Sequence, residues 1–96
     1  MNEEKQKNIE LAIKFFEQAY HLQMTGHLDR AIRCYKRSIE FNPSAQAYTF
    51  LGWTYSLKGL MDKAIEHCRI AIQLDPEYGN AYNDINMSQP KPLMIN

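Results

Sequence analysis

Apolar residues recur along this chain at intervals of three and four, the spacing that lines one face of an α-helix. Phe15, Ala19 and Leu22 form such a stripe in a stretch from about residue 4 to residue 25, unbroken by proline or glycine. Leu28, Ala31, Ile32, Tyr35 and Ile39 form another over about 28–41. Tyr48, Leu51, Gly52 and Tyr55 lie in a third stretch, about 45–58, and a fourth runs over about 60–74. No run shows the strict apolar–polar alternation of a half-buried strand. The breaks are equally regular. Gly26 and Gly59 suit the left-handed position that ends a helix, and Asn42-Pro43-Ser44 and Asp75-Pro76 cannot continue one. The pattern predicts four helices paired into two hairpins with very short turns.

The second hairpin restates the first 33 residues later. Gly26 recurs as Gly59, Ala31 as Ala64, and Leu28-Asp29-Arg30-Ala31-Ile32 as Met61-Asp62-Lys63-Ala64-Ile65. A fixed period of this size marks stacked repeats, each burying its apolar face against its neighbours. A third unit begins at Pro76, with Ala81, Tyr82 and Ile85 paralleling Ala47, Tyr48 and Leu51 after one extra residue. The pattern dissolves after Asn86, and Pro90 and Pro92 forbid a regular helix there. The expected organisation is an N-terminal extension of the first helix over 1–11 and repeats over 12–44 and 45–78. A partial third repeat or capping helix over 79–86 and a disordered tail over 87–96 complete it.

The residues Tyr48-x2-Leu51-Gly52-x2-Tyr55, Ala64-x3-Cys68 and Pro76 resemble the tetratricopeptide repeat, whose pattern is Trp-x2-Leu-Gly-x2-Tyr, Ala-x3-Phe, Pro. The first unit is similar but looser, with Phe15 for Trp, Ala19 for Gly, Leu22 for Tyr and Tyr35 for Phe. Departures are Gln18 in place of Leu, Cys68 in place of Phe, and Asn86 where the third unit should carry Gly. The resemblance implies an all-α fold: antiparallel helix-turn-helix hairpins stacked as a short right-handed α-solenoid. It places Ala19, Leu22, Ala31, Tyr35, Leu51, Gly52, Tyr55, Ala64, Cys68 and Ala71 in the repeat core. Small residues there let helix axes approach closely while the large ones fill the gaps beside them.

Composition narrows the function classes. Eleven basic and 11 acidic residues cancel, and residues 1–44 and 45–96 are each nearly neutral, so no field draws the chain to nucleic acid or anionic lipid. Apolar runs are too short to span a membrane, and the polar, acidic start does not read as a signal peptide. Two cysteines, Cys34 and Cys68, make no disulfide framework, so a cytoplasmic setting is expected.

A second stripe carries the functional expectation. Ile13, Phe16, Tyr20 and Met24 flank the core stripe of the first helix; Gln46, Thr49, Phe50, Trp53 and Leu57 do so on the third. By resemblance this face lines a concave groove that receives a peptide or partner helix. The groove residues are then Phe16, Tyr20, Met24, Thr49, Phe50 and Trp53. The family's carboxylate clamp for chaperone C-termini needs basic residues where this chain has Phe16, Tyr20, Phe50, Asn80 and Asp84, so that partner is not expected.

Other features carry less. Arg30, Arg33, Lys36 and Arg37 read as a solvated outer face, with Cys34 on the same outer side, and His67-Cys68 lacks the second ligand pair of a metal site. No phosphate loop, nucleophile elbow or carboxylate pair appears, so neither catalysis nor a cofactor is expected. The function expected is a non-catalytic protein-interaction scaffold. Its alternative is homotypic assembly through repeat ends left partly bare at Leu60, Ile70 and Leu74, which favours a weak homodimer over a rigid monomer. RNA binding and enzymatic activity rank below both.

Overall fold

The computed structural model describes residues 2–78, and within them the chain is four helices. Helix α1 spans Asn2–Met24, α2 Leu28–Phe41, α3 Ala45–Leu57 and α4 Met61–Leu74. The partial third repeat expected over 79–86 and the tail expected over 87–96 lie outside the described residues.

The two hairpin turns use the same chemistry. Gly26 and Gly59 sit at φ +87° and +83°, a backbone region that a Cβ disfavours. In the first turn the Gly26 N–H donates to Gln23 O at 3.1 Å and the His27 N–H to Leu22 O at 2.8 Å. In the second, Gly59 N–H donates to Ser56 O at 2.9 Å and Leu60 N–H to Tyr55 O at 3.0 Å. Both are left-handed C-terminal caps that occupy carbonyls the helix leaves bare. The second kind of boundary also recurs. Asn42 and Asp75, each before a proline, are extended at φ −160° and −154°, as the proline ring demands of its predecessor. Ser44 then caps α3 by accepting from the Ala47 N–H at 3.1 Å.

Packing follows chain order. α1 pairs with α2 and α3 with α4; α3 also lies on α2 and touches α1, whereas α4 meets only α3 among the described helices. That nearest-neighbour scheme is the short α-solenoid, built of adjacent antiparallel hairpins. Its core is one cluster: Ala19, Leu22, Ala31, Ile32, Tyr35, Leu51, Tyr55 and Ala64. Ala19 and Ala31 are wholly buried where α1 and α2 approach, and in the second hairpin Gly52 takes the place of Ala19. A Cβ at Gly52 would stand 2.9 Å from Cys68 Sγ and 3.0 Å from Ala64 O, so α3 and α4 touch there with no room for a side chain.

Polar groups inside the stack are mostly paired. The Tyr35 hydroxyl donates to Gln23 Oε1 at 2.7 Å, and the Ser38 hydroxyl donates to the Ala12 carbonyl at 2.7 Å. Buried Thr54 returns its hydroxyl to Phe50 O at 2.8 Å. The Tyr35 and Ser38 bonds fix how α2 sits on α1, because a buried donor without an acceptor costs about 1–3 kcal/mol.

Candidate functional site

The helical register that buries Ala19 and Leu22 in α1 turns Ile13, Tyr20 and Met24 outward, and the register of α3 does the same for Trp53 and Leu57. Because α3 touches α1, these residues belong to neighbouring helices, with Phe50 at the join. The Phe50 ring meets Phe16 edge-on at 5.2 Å, Tyr20 at 5.9 Å and Trp53 at 5.7 Å between centroids. Phe16 in turn stands edge-on to the buried Tyr35 ring at 5.4 Å. Five aromatic rings thus form one network that runs from the core to the surface. Edge-to-face pairs at these separations contribute about 0.5–1.5 kcal/mol beyond area burial.

The expected groove residues divide by depth. Phe16, Thr49 and Phe50 are half-buried, and Phe16 and Phe50 pack on the core cluster; Tyr20, Met24 and Trp53 are exposed, Tyr20 at 44% and Trp53 at 39%. Ile13 and Leu57 extend the exposed set at its ends, each 53% exposed. Their spacing, Ile13 three residues before Phe16 and Leu57 four after Trp53, is the signal that adds them to the surface. Beside Ile13 and Phe16 lies a recess of about 380 Å³ with Glu17, Asn42 and Gln46 on its wall.

The residues assigned to the repeat core sit as follows. Ala19, Leu22, Ala31, Tyr35, Leu51, Gly52, Tyr55, Ala64 and Ala71 are buried, and Cys68 is half-buried. Burial raises the Cys68 thiol above its usual range, which keeps it protonated and slow to react. Burial, and then the nearby Tyr20, pushes the Tyr35 phenol well up.

The weaker candidates find ordinary places. Arg37 lies over the rings of Phe41 and Phe15, 4.9 and 5.7 Å from their centroids, and pairs with Glu40 at 2.6 Å. Lys58 at the end of α3 pairs with Asp29 at the start of α2 and, by that bond first, holds the Asp29 carboxyl below its usual range. His67 fits between Tyr48 and Tyr55, with ring centroids at 6.1 and 5.0 Å, and its Nδ1 faces the Lys63 carbonyl at 2.7 Å. Cys34, expected on the outer side, is instead half-buried against the core cluster, because α2 is covered by α1 and α3 together. Among the described residues no cluster of three or more His, Cys, Asp or Glu could hold a metal ion. No helix among them is long and apolar enough to cross a membrane.

Residues 45–78 match the family model of the tetratricopeptide repeat. A protein of Bos taurus, the BBSome complex member BBS4, is 39% identical to the chain over 54 residues, 55% of this chain and 10% of that protein. The similarity thus spans about a tenth of the relative's length. No solved structure matches.

Proposed function

We propose that this chain, whose residues 45–78 match the tetratricopeptide-repeat model, is a non-catalytic interaction module holding a peptide or partner helix on its aromatic face. Tyr20 and Trp53 are the anchors, Phe50 is the rigid base between them, and Phe16, Met24 and Thr49 complete the surface. The observation that carries this reading is the aromatic network itself. Tyr20 and Trp53 stay exposed while both rings are braced edge-on by Phe50. A solvated helix face has no cause to be aromatic, and a braced aromatic loses little freedom when it binds. Binding energy concentrates on such residues, each costing about 2 kcal/mol or more when truncated at a hot spot.

Two further facts agree with it. The bovine relative is named as the member of a complex, a role that a repeat surface suits. The free Cys34 and Cys68 thiols suit a reducing cytoplasm.

The test compares proteins captured from the producing cells by the wild-type chain and by Tyr20→Ala with Met24→Ala, at equal helicity. Loss of a defined set of captured proteins in the double variant supports the aromatic face. An unchanged set removes it.

A further inference from the structure

The recess of about 380 Å³ beside Ile13 and Phe16 lies where α1 passes the junction of α2 and α3. Phe16 belongs both to this recess and to the aromatic network, so the recess continues the aromatic face toward the N-terminal end of α1. On the α1 side its wall is apolar at Ile9, Ile13 and Phe16, and Asn42 and Gln46 stand on the junction side. Among the described residues that line it, Glu17 alone is ionisable. Glu17 is exposed and its charge is not spent elsewhere. The ion pairs among the described residues are Arg37–Glu40 and Lys58–Asp29, and neither Lys14 nor His21, one turn to either side on α1, pairs with Glu17. The side chains of Asn42 and Gln46 likewise make no hydrogen bond among the described residues. Buried Ser38 also lines the recess, and its hydroxyl gives its proton to the Ala12 carbonyl at 2.7 Å, which leaves it only a lone pair to offer.

Two charges compete to set the sign of what this recess attracts. Ser44 and Gln46 bring the first turn of α3 to its wall, and a helix N-terminus carries roughly half a positive charge that favours an anion. Glu17 carries a whole negative charge. Ser44 Oγ moreover already accepts from the Ala47 N–H at 3.1 Å, so one of the donors an anion would use is taken. The carboxylate prevails, and the recess is a place for a cation.

We infer that the recess receives a basic side chain, arginine by preference, from the peptide or helix held on the aromatic face. The inference rests on the aromatic-face reading and adds to it the chemistry of what binds there. The aliphatic stem lies along Ile9, Ile13 and Phe16, as the stems of long basic residues do on apolar surface. The charged head meets the Glu17 carboxylate and the carboxamide oxygens of Asn42 and Gln46. Arginine suits this better than lysine, because its planar fork of donors serves several acceptors at once whereas an ammonium is a point charge. Spacing follows from α1. Ile13 and Tyr20 are seven residues apart, about 10 Å at the helical rise, and an extended partner covers that distance in about three residues. The recognised pattern is a basic residue about three positions from the apolar residue that meets Tyr20.

The test selects a phage-displayed library of random dodecapeptides on the immobilised full chain and, in parallel, on Glu17→Gln and on Tyr20→Ala with Met24→Ala. Glu17 is exposed, so its exchange for the isosteric amide spares the core, and equal ellipticity at 222 nm checks this. The wild-type selection should enrich arginine or lysine at a fixed spacing from an aromatic or aliphatic residue. Glu17→Gln should lose the basic residue and keep the apolar one, and the double variant should lose the apolar one. A synthetic peptide from the wild-type selection should bind Glu17→Gln roughly fivefold more weakly by calorimetry, the upper range for a part-exposed charge pair. Basic enrichment that survives Glu17→Gln overturns the inference. Enrichment of acidic residues overturns it too and would assign the recess to the positive end of α3. Apolar enrichment without a basic residue overturns it while leaving the aromatic face standing. No enrichment over an unrelated helical protein overturns both readings together.

Discussion

Tyr35 on α2 and Gln23 on α1 are joined by a hydrogen bond of 2.7 Å in which both residues are buried. The bond ties α2 to the C-terminal end of α1 and leaves Gln23 Nε2 without a partner among the described residues. Replacing Tyr35 with Phe keeps the ring but strips Gln23 of its remaining polar contact. Stability should fall by about 1–2 kcal/mol, read as a lower midpoint of urea denaturation at unchanged slope.

The same tyrosine sets an alkaline limit. Burial first, and the nearby Tyr20 second, raise the Tyr35 phenol above its ordinary value of 10.0. A raised folded-state value means that the fold favours the neutral phenol. Its contribution is complete below about pH 10 and is lost as pH rises beyond it. Ellipticity at 222 nm should fall above that pH together with a late phenolate absorbance. Tyr35→Phe should abolish the coincidence. Helicity that persists while every phenol ionises near 10 would contradict the assignment.

Gly52 is where α3 and α4 touch. A Val there drives branched carbon into Cys68 Sγ and the Ala64 carbonyl, which already stand 2.9 and 3.0 Å from a bare Cβ. Overpacking of this kind costs about 1–3 kcal/mol, which outweighs the few tenths, roughly, by which valine exceeds glycine in helix propensity. Gly52→Val should lower the melting temperature, and a compensating Cys68→Ala should recover part of the loss.

The hairpin glycines act differently. Nothing lies within 4 Å of a Cβ at Gly26 or Gly59, so any cost of substitution is conformational alone. Gly26→Ala should destabilise by about 1 kcal/mol through its positive φ, and Gly26→Asn by less, because asparagine tolerates that region. Equal effects from the two variants would show that sterics, not backbone conformation, govern the turn.

The fold was legible because its boundaries are local. Gly26, Pro43, Gly59 and Pro76 end or begin helices through their own backbone chemistry, and each helix limit falls within about two residues of where apolar spacing and these breakers put it. What a single helix cannot display is its neighbour. Phe50 and Trp53 share a stripe in the sequence, yet α1 lies over Phe50 and half-buries it while Trp53 stays exposed. Cys34 projects from α2 beside basic residues, and only the joint presence of α1 and α3 brings it against the core. His67 belongs to no motif, and its place between Tyr48 and Tyr55 emerges only when α4 crosses α3. An apolar trough between α3 and α4 had a signal that periodicity within one helix does not carry. Leu60, Ile70 and Leu74 draw attention as apolar residues near the end, whereas Met61, Ile65 and Ile72 line the surface, as their correspondence to Leu28, Ile32 and Ile39 requires.

Binding on the aromatic face should be selective for the anchors. Trp53→Ala should weaken capture of a partner by roughly thirtyfold or more, the equivalent of about 2 kcal/mol, while far-UV ellipticity stays near that of wild type. Arg33→Glu on the exposed side of α2 should leave capture unchanged.

The most direct measurement places a photo-crosslinking phenylalanine analogue at single positions of the full chain and irradiates the cells that produce it. At position 20, where Tyr20 is exposed and braced by Phe50, a discrete protein adduct is expected. At position 36, where Lys36 is exposed on α2, none is expected. Adducts that form equally at both positions, or only at position 36, would contradict the claim that the aromatic face is the binding surface.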